Sequence, residues 1–161
     1  MTVLKGLLIA AIALPVLLLI VGQAGLLSGR APGELGVRDG RLRPPSNTPN
    51  SVSSQTAKWP GVGHASAPID PLPAPAGKAA SMARLQALCE AMPGARVIDV
   101  RDGYLYVQFT TRWLKFVDDA EFWFDPVAQV VQVRSASRVG KADFGVNRAR
   151  VEALRQRLAA P

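Results

Sequence analysis

One cysteine, Cys89, and one histidine, His64, are all that this chain of 161 residues offers to thiol or imidazole chemistry. A single cysteine closes no intramolecular disulfide, and a lone histidine with no spaced ligands makes neither a zinc nor a haem motif. No metal and no cofactor is therefore expected. The phosphate-loop and dinucleotide fingerprints are missing too, and no internal repeat is present. A Ser-His-Asp arrangement would have to recruit His64 from a proline-rich stretch. Charge is missing in one place: no residue from Gly6 to Leu27 is ionisable, and Leu7 to Val21 is almost purely aliphatic.

That run is long enough to cross a bilayer as one helix, which takes about 20 apolar residues. The alternative is a cleaved secretory signal, with Lys5 as its basic start and Gly22-Gln23-Ala24 as a small-residue cleavage site. The run exceeds the roughly 7–15 residues of a signal core, so an uncleaved single-pass anchor over residues 1–29 is preferred. Pro15 does not exclude it, because membrane helices tolerate proline. Counting Arg30, Arg38, Arg41 and Arg43 alone would keep the following domain cytoplasmic. The short amino-terminal tail argues the reverse, and the domain is expected at the cell membrane on its outer, periplasmic side.

Nineteen Lys and Arg against 12 Asp and Glu give a net charge of +7. Only Lys5 of this excess belongs to the anchor. Such a surface attracts anionic lipid, a phosphate-bearing ligand or an acidic envelope protein without choosing among them. A chain tethered to a membrane has poor access to nucleic acid, and none is expected as a partner.

Residues 30–78 are rich in proline, glycine, serine and alanine and show no sustained period. They read as a long irregular segment, partly docked on the domain so that Val52, Trp59, Ile69 and Leu72 are not stranded in water. Residues 79–161 are regular. Ser81 is expected to cap a helix with Met82, Leu85, Leu88 and Met92 on one face, ending at Pro93-Gly94. Alternating runs around Asp102-Gly103 predict one hairpin, and Leu114–Phe124 with Gln129–Ala136 predict a second. A last helix begins near Asn147 and buries Val151, Leu154 and Leu158, with Val146 and Val151 placed for a hydrophobic staple. The expectation is an α+β fold: a four-stranded antiparallel sheet with helices packed on one face.

In the second hairpin, facing Phe124 with Gln129 sets Asp118 opposite Ser135 and Asp119 opposite Arg134. The Asp119–Arg134 pair is then a modest cross-strand ion pair. Asp118, at the edge of an apolar face, needs partners. A buried structural network with Arg138, Asn147 or Arg148 is favoured over a general base. Adjacent carboxylates point to opposite faces of a strand and form no dyad. Beyond this hairpin, Arg134, Arg138, Lys141, Arg148 and Arg150 fall within seventeen positions that run from strand to helix. Cations in the first turn of a helix are unfavourable, so a negative counterpart is expected. Asp118, Asp143 or Glu152 would supply it internally. A bound anion would use the helix start with Arg134, Arg138, Lys141, Asn147 and Arg148. Cys89, beside Leu85, Leu88 and Met92, reads as a buried inert thiol. Trp59, Trp113 and Trp123 are expected in core or docking roles, with a membrane interface as the alternative.

The chain resembles the domain of unknown function 1499 family over roughly residues 35–158. The resemblance is carried by Leu42 with Pro49-Asn-Ser-Val-Ser-Ser-Gln55, by His64 with Ile69-Asp-Pro-Leu72, by Lys115-Phe-Val-Asp-Asp-Ala-Glu-Phe122, and by the basic block Arg134–Arg150. It implies that Asn50 to Gln55, His64, Asp118, Asp119 and the arginine block share one surface. Members commonly carry cysteine where this chain has Ser51, which undercuts a thiol mechanism here. The functional expectation is a membrane-tethered envelope module, more plausibly non-enzymatic, that binds an anionic group or partner through the arginine-rich site. The alternative is a hydrolase or transferase using Asp118 with His64 or Ser54.

Overall fold

The computed structural model describes residues 2–159. The chain opens with α1 (Thr2–Gln23), a helix of 22 residues that runs through Pro15. Its stretch Leu4–Gln23 has a mean hydropathy of 2.7 and is long and apolar enough to cross a membrane. The domain that follows contains β1 (Ser51–Ser53), β2 (Leu72–Pro73), α2 (Gly77–Glu90), β3 (Ala95–Arg101), β4 (Tyr104–Thr110), β5 (Val117–Asp125), β6 (Val130–Ser137) and α3 (Val146–Ala159).

The sheet has six strands rather than four, in the order β1-β6-β5-β4-β3, with β2 also paired to β6. All named pairings are antiparallel. The four long strands come from the two expected hairpins. The two extra ones come from the irregular segment: Ser51–Ser53 pairs with Arg134–Ala136, and Leu72–Pro73 with Val130–Val131. Their sequence carries no alternation because β1 is buried at all three positions and β2 contains proline. Their cause lies in β6, whose second edge would otherwise present unpaired N–H and C=O groups. Proline is tolerated in such an edge position. The opposite edge, β3, is blunted by a bulge between Val97 and Asp99.

The β5–β6 register differs from the expected one by two residues. Phe124 faces Val131, Phe122 faces Val133, Asp118 faces Ser137, and Arg134 faces Glu121 rather than Asp119. The turn decides this. Asp125 Oδ1 accepts from the N–H groups of Val127 and Ala128 at 3.0 and 3.1 Å, and Gln129 adopts φ 54°. Asp125 thus closes the ladder as its last pair, opposite Val130. Burial raises the Asp125 pKa, but these two N–H donors and Gln132 outweigh it and hold the carboxyl below its usual range. A shift by two keeps every side chain on its original face. In the first hairpin, Gly103 takes φ 71°, which a side chain would resist.

Two apolar layers cover the sheet. Leu85 and Cys89 of α2 and Val151, Leu154 and Leu158 of α3 pack on Leu105, Val107, Phe109, Phe122, Phe124, Val131 and Val133. On the other face Leu42 meets Tyr104 and Tyr106, flanked by Leu35, Val37 and Trp123. The segment before β1 is therefore a third layer, and β4 is buried on both sides. Helix α2 starts at Gly77, four residues before the expected cap, because Lys78, Ala79 and Ala80 already favour helix. Ser81 lies inside it, buried, with its hydroxyl unpartnered among the described residues. Val146 is the first residue of α3 and stays exposed, so no staple forms with buried Val151.

Leu42, only 1% exposed, ties the third layer to the sheet. Leu42→Ala is expected to lower stability by about 2–5 kcal/mol in urea unfolding. A loss under about 0.5 kcal/mol would mean that the segment merely drapes over the domain.

Candidate functional site

The basic strand-to-helix block is folded around the protein's own acids. Asp118, on the helix-covered face of β5, accepts from Ser137 Oγ at 2.5 Å and from Arg150 Nη2 at 2.7 Å. Arg150 also donates to Asn147 Oδ1 at 2.9 Å and stacks its guanidinium 4.3 Å from the Phe109 ring centre. Asn147 is fully buried. Its Oδ1 accepts from the Ser135 hydroxyl, and its Nδ2 donates to Ser137 Oγ at 3.1 Å and to Asp143 Oδ2 at 2.9 Å. Asn50 extends the network by donating to the Gly140 carbonyl at 2.8 Å.

Asp119, the next residue, faces the other layer. Arg138 grips it with two bonds, Nε to Oδ2 at 2.7 Å and Nη2 to Oδ1 at 2.8 Å, and the Tyr106 hydroxyl donates to Oδ1. This forked geometry is the strongest that a guanidinium makes with a carboxylate. It raises the Arg138 pKa despite the opposing effect of burial. Burial, then the bond to Asp119, raises that of Tyr106. Further along the same face Glu121 is fully buried, and its Oε1 accepts from Tyr104 O–H and Gly36 N–H. Burial and the charge of Glu121 push the Tyr104 phenol far above its usual value. Buried Arg134 donates from Nε to the Pro44 carbonyl at 2.9 Å, and burial depresses its pKa.

Helix α3 begins on an internal anion. Asp143 accepts from the backbone N–H groups of Gly145 and Asn147 at 3.0 and 2.9 Å. It therefore occupies the electropositive helix end that a bound anion would need. Arg148 is taken up by the carbonyls of Ser66 and Pro68, at 2.9 and 2.5 Å. Arg155 holds those of Asp70 and Pro71 in the same way. Arg148 and Arg155 of α3 thus satisfy backbone acceptors in a strap that has few ladder partners.

Of the five expected ligand-binding residues, Arg134, Arg138, Asn147 and Arg148 all have internal partners. Lys141 alone is exposed without a hydrogen-bond or ion-pair partner among the described residues. Asp118, His64 and Ser54 are not brought into one constellation. The exposed His64 ring meets Ser66 Oγ at 2.8 Å, and Ser54 Oγ bonds to Gln132 and the Val133 backbone. Asn50, Asp118 and Asn147 do converge, and His64 adjoins them. Its backbone N–H donates to the carbonyl of Ser46, whose hydroxyl bonds Asn50, and its ring meets Ser66, whose carbonyl takes Arg148. Asp119 lies across the sheet. Ser51 Oγ accepts from the Ser46 N–H at 2.9 Å, a bond within a turn. Burial pushes the Cys89 thiol up to about 12, which leaves no thiolate at neutral pH. Among the described residues no three His, Cys, Asp or Glu side chains converge as a metal site requires.

The sequence reasoning gave no role to Arg112, Trp113 and Lys115 together, in the loop between β4 and β5. Their neighbour is the end of α1. Gln23 Nε2 donates to the carbonyls of Trp113 and Arg112 at 2.8 and 3.3 Å, and Ser28 Oγ donates to that of Lys115 at 3.1 Å. Gly22 lies so close that a Cβ there would sit 2.8 Å from the Leu114 Cα. The one available signal was the juxtaposition of Trp with two cations at a hairpin end.

The family described as Protein of unknown function (DUF1499) matches residues 41–158. The chain belongs to this family. No curated protein and no solved structure gives a match. The matched region takes in the second-face residue Leu42, both short edge strands and the whole Asp118–Asn147–Arg150 network. It begins after α1.

Removing one member of the Asp118–Arg150 pair, whose side chains are 8% and 10% exposed, leaves a buried charge uncompensated. Arg150→Met is expected to cost about 3–5 kcal/mol, and adding Asp118→Asn should recover part of it. Additive losses in this double-mutant cycle would show the pair to be uncoupled. For Asp143, burial raises the pKa, but the Asn147 and Gly145 donors hold it below the usual value. A folded pKa below the unfolded one of about 3.9 adds stability above that pH and loses it as pH falls through the folded value. Melting temperatures of Asp143→Asn between pH 7 and 3 should therefore decline less steeply than those of the parent.

Proposed function

We propose that this family member is a single-pass, membrane-tethered, non-enzymatic envelope module whose domain is held against the membrane surface. The observation that supports this reading is the built contact between the end of α1 and the β4–β5 loop. Three side-chain-to-carbonyl bonds and a glycine fitted to Leu114 bind the helix to the domain. A cleavage at Gly22-Gln23-Ala24 would cut through this contact and discard the helix that makes it. The non-enzymatic part follows from the site chemistry. A base, an acid or a nucleophile must be free to meet substrate, and Asp118 is held by Arg150 and Ser137.

The domain belongs on the outer face of the membrane. Of Arg30, Arg38, Arg41 and Arg43, which argued for the inside, the last three surround the buried Leu42 and belong to the folded layer, leaving Arg30 as the one cation in the short stretch after the span. Positive charge steers topology when it lies in short loops near the span, and folded domains translocate largely regardless of it.

The mature protein should keep its amino-terminal helix by mass spectrometry and resist carbonate extraction. Ala142→Cys, at an exposed position, should react with an impermeant maleimide in right-side-out vesicles, while buried Cys89 does not. A soluble mature chain beginning near residue 25 would overturn the tether. Labelling only after the vesicles are opened would overturn the orientation.

A further inference from the structure

The loop that receives α1 also carries uncompensated charge near the membrane. Gln23 ends a 20-residue apolar stretch, which as a helix rises about 30 Å, the thickness of the hydrocarbon core. Carbonyls hydrogen-bonded to Gln23 therefore lie at head-group depth. Trp113 is 60% exposed there, as suits an indole at an interface, and the Arg112 guanidinium lies 4.8 Å from its ring centre. Among the described residues neither Arg112 nor Lys115 makes an ion pair. The loop is held in shape, because Thr111 N–H donates to the Phe116 carbonyl and Phe116 N–H to Thr111 Oγ1, both at 2.9 Å. Lys115 sits at φ 55° in this turn.

Two open clefts meet at these cations. One of about 430 Å³ lies between Leu19 and Gln23 of α1 and the loop residues Arg112, Trp113 and Lys115. The other, of about 560 Å³, runs from Arg112 and Lys115 towards Phe109 and Pro93. We propose that the first cleft binds the phosphate of an anionic phospholipid of the membrane that α1 crosses. Arg112 offers a planar fork to the phosphate oxygens and Lys115 a compact second charge. Leu19, one turn deeper, meets the start of the acyl chains, and Trp113 lies at the level of the glycerol. A lipid fits better than a soluble phosphate because the cleft has an apolar floor provided by a helix within the bilayer. This inference rests on the tether and names what the tethered face meets.

The test uses the full chain in nanodiscs of phosphatidylcholine with a minor fraction of brominated phosphatidylglycerol or brominated phosphatidylcholine. Trp113 emission is taken as the difference between the parent and Trp113→Phe. Brominated phosphatidylglycerol should quench more strongly than brominated phosphatidylcholine at equal mole fraction. Apparent enrichment should fall by about fivefold for each charge removed in Arg112→Gln and Lys115→Gln. Arg96→Gln, a charge removed from the exposed edge strand, should leave it unchanged. Equal quenching by the two lipids, or an excess that survives the double substitution, overturns the site while leaving a carbonate-resistant tether intact. Loss of quenching by both lipids together with carbonate extraction overturns the tether itself. Inorganic phosphate that perturbs Trp113 in pure phosphatidylcholine, dependent on Arg112 and Lys115, would make this a soluble-phosphate site and overturn the lipid.

Discussion

Two neighbouring carboxylates on β5, each locked to an arginine on a different side of the sheet, fasten this strand to α3 and to the end of β6. Asp118 reaches Arg150 on α3, and Asp119 reaches Arg138, which leaves the end of β6. Strand alternation sends the two acids in opposite directions, so one dipeptide places a buried ion pair on each face. Each buried charge is satisfied by further hydrogen bonds, without which such pairs cost more than they return. Ser137, Asn147 and Asp143 perform that role on one side, and Tyr106 on the other. The positive crowding at the start of α3 follows directly. It has its negative counterparts within the fold.

The same principle governs the irregular segment. A long stretch rich in proline and glycine has backbone acceptors and no regular ladder. Arg134, Arg148 and Arg155 supply donors to carbonyls of Pro44, Ser66, Pro68, Asp70 and Pro71. The segment then delivers Leu42 to one face of the sheet and Val52, Ile69 and Leu72 to the core on the other. The basic surplus of the sequence is thus partly structural. What remains for the outside includes Lys141, Arg96, Arg157 and the Arg112–Lys115 loop beside the membrane helix.

Much of the fold was legible because its signals are local. The apolar run of α1, the hairpin at Asp102-Gly103 and the face of Val151, Leu154 and Leu158 each declare themselves within a few residues. The β5–β6 register was two residues off because Asp125 serves the ladder and the turn at once, and alternation alone does not distinguish shifts of two. The start of α2 was misplaced because Ser81 looks like a cap but follows a turn that is already helical. The site was less legible. Asp118, Arg138 and Asn147 stand out in the sequence, but whether an arginine faces a carboxylate or a ligand depends on distances across some 20 to 90 positions of chain.

By itself the sequence determined the membrane-length helix, the antiparallel α+β core and the family, since periodicity, apolar length and motif are properties of contiguous residues. Tertiary structure alone decided that β1 and β2 join the sheet, that the arginine block is neutralised from within, and that Gln23 meets the Arg112–Trp113 loop. The physical reason is common to all three. An edge strand, a buried charge and a helix end each require a partner, and the chain can supply that partner from any distance.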